Sequence, residues 1–121
     1  MLFDELHNDV RKELTGLLAA QNEGNVGKAR VHGRRAAGAA LLFWRQSQKQ
    51  NTHVSSALSL LKALLQDNLV PEDVKLAAEK LTTSVTMREN APFTADPLTD
   101  AKTVIQFVEL QLEKEIWPDD F

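Results

Sequence analysis

Residues 28 to 45, KARVHGRRAAGAALLFWR, gather the side chains of this chain best equipped to hold an anion: Lys28, Arg30, Arg34, Arg35 and Arg45, with His32 among them. On a helix turning 100° per residue, Arg30, Arg34 and Arg45 fall on one flank and Lys28, His32 and Arg35 on the other. Arg30 and Arg34, one turn apart, can grip a phosphate or a partner's carboxylates through forked hydrogen bonds. Like charges at that spacing repel by a few tenths of a kcal/mol, which leaves room for an acidic partner to relieve them. The competing reading makes these rim residues, whose stems cover the edge of the core while their heads stay in water. With Arg88 further along, Arg30, Arg34, Arg35 and Arg45 form the candidate nucleotide- or anion-binding set.

Other chemistry is thinly represented. His7, His32 and His53 fall on three different predicted helices, and no pair has the i, i+4 spacing of a helical zinc site, so no metal is expected. His53 reads as a structural residue at a helix start. Glu109, Glu113, Asp119 and Asp120 read as members of solvated faces, and the Glu-x-x-His unit that di-iron bundles repeat does not occur. Ser55, Ser56 and Ser59 lack a nucleophile-elbow sequence, and Ser55 and Ser56 read as first-turn residues. Gly24 and Gly27 are not followed by the Gly-Lys-Ser/Thr ending of a phosphate loop, and no cofactor is expected. Trp44 and Trp117 could stack a base or close the end of a core.

The elements that must position these residues are helical. Leu2, Leu6, Val10, Leu14, Leu17 and Leu18 recur at spacings of three and four, predicting a first helix that ends near Gln21. NEGN breaks it, and Gly24 and Asn25 suit a short turn into an antiparallel second helix over Val26 to Ser47. Its face of Ala29, Gly33, Ala36, Ala37, Ala40, Phe43 and Trp44 is mostly small. Gly33 and Gly38, each costing about 1 kcal/mol against Ala, imply a tight crossing or a ligand. A third helix, capped at Asn51 or Thr52, would carry Val54, Ala57, Leu58, Leu61, Leu64 and Leu65. Pro71, Glu72 and Asp73 open a short fourth helix through Val74, Ala77, Ala78, Leu81 and Val85. TMRENAPFTADP then reads as an ordered crossing loop anchored by Met87 and Phe93. Asp96 and Pro97 cap and start the last helix, whose buried face is Ala101, Val104, Ile105, Val108 and Leu112. Strand alternation is hard to find, so the expected fold is all-α: an antiparallel up-and-down bundle of four main helices with an additional short one.

Composition bounds the rest. A chain of 121 residues with 43% apolar and 26% charged side chains fits one domain over 1–121 with a single core. The absence of cysteine removes disulfides, thiolate zinc sites and cysteine nucleophiles. A net charge of -3 and a pI near 5.6 argue against wholesale polyanion binding and leave only a local patch for nucleic acid. No stretch approaches the ~18 apolar residues of a membrane span, and MLFDELHNDVRKEL is too charged for a signal peptide, so a cytoplasmic location and no membrane partner are expected.

The order of parts resembles the HEPN superfamily of small helical-bundle domains. GNVGKARVHGRRAAGAALLFW is similar to that family's alanine-rich second helix, and THVSSALSLLKALLQD to the threonine-histidine opening of its third. The short helix at 71 to 85, the proline-containing loop and PLTDAKTVIQFVELQLEKEI complete the order over nearly the whole chain. Catalytic members of that family are metal-independent ribonucleases with an Arg and a His four to six residues apart near the start of the last helix. Here the matching region holds Arg88, but Phe93, Thr94 and Ala95 stand where the histidine would follow, and no histidine occurs after His53. Attack by a ribose 2'-hydroxyl needs a proton acceptor within hydrogen-bond reach, a role that suits imidazole near neutral pH. The resemblance therefore implies a non-catalytic binding protein: a homodimer that holds a nucleotide or RNA, or a partner of a small nucleotidyltransferase in a two-component, toxin-antitoxin-type module. The rival expectations are a ribonuclease using other residues and a structural interaction protein without nucleotide contact.

Overall fold

A computed structural model of the chain describes residues 2–48, 56–83 and 96–121. Among them are five helices and no strand: α1 (Phe3–Asn22), α2 (Val26–Ser47), α3 (Ala57–Leu64), α4 (Glu72–Thr82) and α5 (Pro97–Leu112). None of the helices among the described residues is long and apolar enough to cross a membrane. The polar segment at 49–55 and most of the expected crossing loop, with Met87 and Phe93, lie outside the described residues, as does Val85.

The predicted α1 stripe is buried. Leu6, Val10, Leu14 and Leu17 are fully enclosed, joined by Ala20, while Leu2 at the helix start is exposed and Leu18 sits half-buried beside the core. Gly24 ends this helix with φ of +72°, a conformation that glycine adopts without steric cost. The turn donates Asn25 N–H to Ala20 O at 2.8 Å and Gly24 N–H to Gln21 O at 3.0 Å, a pairing that satisfies carbonyls the helix would otherwise orphan. Asn25 then caps α2 by accepting the Lys28 N–H at 3.0 Å. Three connecting residues thus reverse the chain, bringing Phe3 to 5.7 Å from Phe43 by ring centroid and Glu13 to His32.

α2 is the central element and touches all four other helices. Its small face makes this possible, because glycine and alanine let a second backbone approach closely. A methyl group built on Gly38 would lie 2.6 Å from Ala57 Cβ and 2.8 Å from Ala57 Cα, at the start of α3. One on Gly33 would lie 3.2 Å from Pro97 Cβ and 3.4 Å from Leu81. Of the two explanations for these glycines, the tight crossing is the one observed. Ala29, Ala36, Ala37 and Ala40 of α2 are buried as well.

α3 is shorter than expected. Ser56, in extended backbone, accepts the Ser59 N–H at 3.1 Å and is the residue that caps this helix, in place of Asn51 or Thr52. Ser56 is therefore a cap and not a first-turn residue. Leu60, Leu61 and Leu64 are buried, whereas Leu58, expected on the apolar stripe, is exposed. At α4, Pro71 stands one position before the first helical turn. At α5, Asp96 accepts both Thr99 N–H and Thr99 Oγ1–H, and Pro97 follows as predicted.

The chain end is built more firmly than its composition suggested. Glu109 Oε2 accepts the N–H groups of Ile116 and Trp117 at 2.7 and 2.8 Å, so this carboxylate is a turn anchor and not a member of a solvated face. Asp120 is exposed, as expected of a solvated face, and there it pairs with the also exposed Arg11 at 2.7 Å. Ile116 is fully buried, and Trp117 donates its ring N–H to Phe121 O.

Candidate functional site

The five candidate arginines separate into different environments. Arg30 is 3% exposed, one of two buried charged residues among those described, the other being Asp100. Both sequence readings left its head in water or open to a ligand; instead it faces inward across the α2–α4 seam. Its Nη2 donates to Leu81 O at 3.3 Å and to Thr83 O. Those oxygens belong to the last turn of α4 and the residue after it, where helix carbonyls lack internal partners and the dipole favours a cation. Burial, and then the charge of Arg34, lower the Arg30 pKa from its ordinary value.

One turn on, Arg34 is half-buried, and Arg35 beside it is exposed. Neither makes an ion pair or side-chain hydrogen bond among the described residues. Burial lowers the Arg34 pKa, and the adjacent Arg35 charge adds to that. The expected Arg30–Arg34 fork is thus divided by burial: one guanidinium is engaged with main-chain oxygen and the other is left beside Arg35.

Arg45 is eleven residues beyond Arg34, roughly 16 Å along the helix axis, and does not share a site with it. It lines a cavity of about 380 Å³ between α2, α3 and α5 together with Trp44 and Phe107. These two rings meet edge to face at 5.4 Å, so Trp44 is both a wall of the core and a lining of that cavity. Arg88 lies outside the described residues, and so does His53.

The two described histidines are engaged with neighbours. His32 Nδ1 lies 3.0 Å from Glu13 Oε2, with both side chains 18% exposed. Its ring rests against α1 at Gly16, where a methyl group would come within 2.6 Å of the imidazole. His7 packs edge-on against Phe3 at 4.6 Å. Among the described residues no three acidic or histidine side chains group as a metal site.

Sequence reasoning missed Arg30's capping of α4, Glu109's anchoring of the chain end and the burial of Asp100. Local spacing held no signal for the first two, because each partner is main chain whose position depends on the packed fold. Comparison of the chain with protein-family models, with curated proteins and with solved structures finds no match.

Proposed function

We propose that this chain is a non-catalytic, HEPN-like binding domain that holds the phosphate of a nucleotide or RNA at Arg34 and Arg35. The observation that carries this reading is the pair itself: a half-buried guanidinium beside a second cation, with no ion pair among the described residues. Such a pair is electrostatically strained until an anion arrives, and a phosphate can accept several charge-assisted hydrogen bonds at once. Arg30 supports the same surface indirectly, by tying the end of α4 to α2 one turn away. The absence of any histidine after His53 supports a role without ribonuclease chemistry.

In this reading the helices form an antiparallel up-and-down bundle. Supporting it, the start of α2 meets the end of α4 through Arg30 and Leu81, and α1 returns along α2 from Phe43 to Phe3. The domain self-associates through exposed apolar residues, for which Leu76 on α4 and Leu110 on α5 are available. A small nucleotidyltransferase is the partner that the family resemblance favours.

Calorimetry with ATP and with a short single-stranded RNA tests the binding claim. Expected is saturable heat with at least one of them, weakened about tenfold or more by Arg34→Ala, since hydrogen bonds to charged groups contribute ~1.5 to 3 kcal/mol. Absence of heat with both ligands would remove the nucleotide-binding reading. Incubation with mixed RNAs in chelator tests the rest, and cleavage lost on His53→Ala would overturn the non-catalytic assignment.

A further inference from the structure

The cavity beside Trp44 has features that the Arg34 surface lacks. At about 380 Å³ it falls within the range of small-molecule sites. Leu41, Leu60, Leu64, Val70 and Phe107 line it, and each is almost wholly withdrawn from solvent. Leu69, also in the lining, is 91% exposed, an apolar surface open to water where something apolar could cover it.

The polar part of the lining is Arg45, Asp67, Gln48 and Gln111, so its charged groups are one cation and one carboxylate beside two neutral amides. Arg45 is half-buried there, and its side chain makes no hydrogen bond or ion pair among the described residues. Asp67 also contributes to the lining, with Oδ1 accepting the Leu69 N–H at 2.9 Å. One cation set against one carboxylate favours a singly charged anion over a polyphosphate, whose further charges would meet Asp67 without compensation. The leucines and the Trp44–Phe107 corner favour an apolar body of modest size.

We infer that this cavity binds a small monocarboxylic acid with an aryl or branched alkyl body, the carboxylate on Arg45 and the body against Leu41, Leu60 and the Trp44–Phe107 corner. The site does not depend on the nucleotide reading, since Arg34 lies roughly 16 Å away along the same helix.

Titration of the isotope-labelled full chain with 3-phenylpropionate, followed by amide NMR, tests this. Expected are saturable shifts centred on Trp44, Arg45, Leu64 and Phe107, with a Kd on the order of 1 mM for so small a probe. Arg45→Gln weakens binding tenfold or more, Ala63→Phe abolishes it by filling the cavity, and Arg34→Gln leaves it unchanged. The neutral analogue 3-phenylpropan-1-ol binds at least tenfold more weakly than the acid. The inference is overturned by an absence of saturable shifts up to about 10 mM acid, by shifts that map elsewhere, or by Arg45→Gln or the alcohol binding as tightly as the native pair. Each variant's own spectrum reports whether it folds, and if Ala63→Phe does not, Arg45→Gln and the alcohol still decide.

Discussion

Arg30, in the second turn of the small-residue helix, reaches the main-chain oxygen of Leu81 at 3.3 Å, fifty-one positions later in the chain. A charge expected at the surface is thereby a structural tie between α2 and the end of α4. Replacing it with methionine keeps much of the volume but leaves the carbonyls of Leu81 and Thr83 without this donor. Arg30→Met is expected to cost about 2 to 3 kcal/mol, read as a lower urea midpoint at unchanged slope. Arg30→Lys recovers only part, because an ammonium lacks the planar fork. A loss under about 0.5 kcal/mol would show that the tie contributes little.

The contact between Gly16 and His32 predicts a coupled pair. Gly16→Ala gains up to ~1 kcal/mol of helix propensity but pushes a methyl group into the imidazole, 2.6 Å away, and overpacking of that kind costs about 1 to 3 kcal/mol. The net effect is a loss. In a His32→Ala background the same Gly16→Ala change becomes stabilising, so a double-mutant cycle by chemical denaturation gives an interaction energy above ~1 kcal/mol. Additive effects would rule out this packing.

Glycine substitutions along α2 should rank by what each methyl group would meet. At Gly38 it meets the Cα of Ala57, which cannot swing aside, so Gly38→Ala is the most harmful, by about 2 kcal/mol or more. At Gly33 the neighbours lie 3.2 to 3.4 Å away and the cost is smaller. At Gly27 the nearest such atom is Asn25 Oδ1 at 3.9 Å, and Gly27→Ala stabilises by about 0.5 kcal/mol. Melting temperatures of the three variants, compared under one buffer, test the order.

Glu109 holds the chain end through two N–H groups, and Glu109→Ala would leave both without that acceptor. The expected cost is about 1 to 3 kcal/mol, accompanied by a red shift of Trp117 emission as the tail loosens. The shift should be read in a Trp44→Phe background. Unchanged emission and stability would show that the tail is held by Ile116 burial alone.

If Arg34 and Arg35 receive an anion, inorganic phosphate should raise the melting temperature relative to chloride at matched ionic strength. At tenfold excess over Kd the gain is ~1.4 kcal/mol, or a few degrees for a domain of this size. Arg34→Gln should abolish the difference. A phosphate effect that persists in that variant would place the anion elsewhere.

Helical class, the span of α2 and the capping of α5 were legible in the sequence because each follows from local rules. Apolar spacing selects the helix face, Gly24 and Asn25 make a reversal, and Asp96-Pro97 starts a helix wherever the rest of the chain lies. The start of α3 was misplaced because Asn51, Thr52 and Ser56 can all cap by the same chemistry, and Ser56 is the one that caps the observed helix, where Ala57 meets Gly38. The candidate site was legible only as a set of cations on one helix. Which arginine turns inward depends on where the end of α4 packs. Which one faces a cavity depends on how α3 and α5 pack around Trp44. Spacing within a segment determines which residues share a face; partners from distant segments decide whether that face meets solvent, a carbonyl or a hollow, because burial and hydrogen-bond satisfaction are properties of the packed whole.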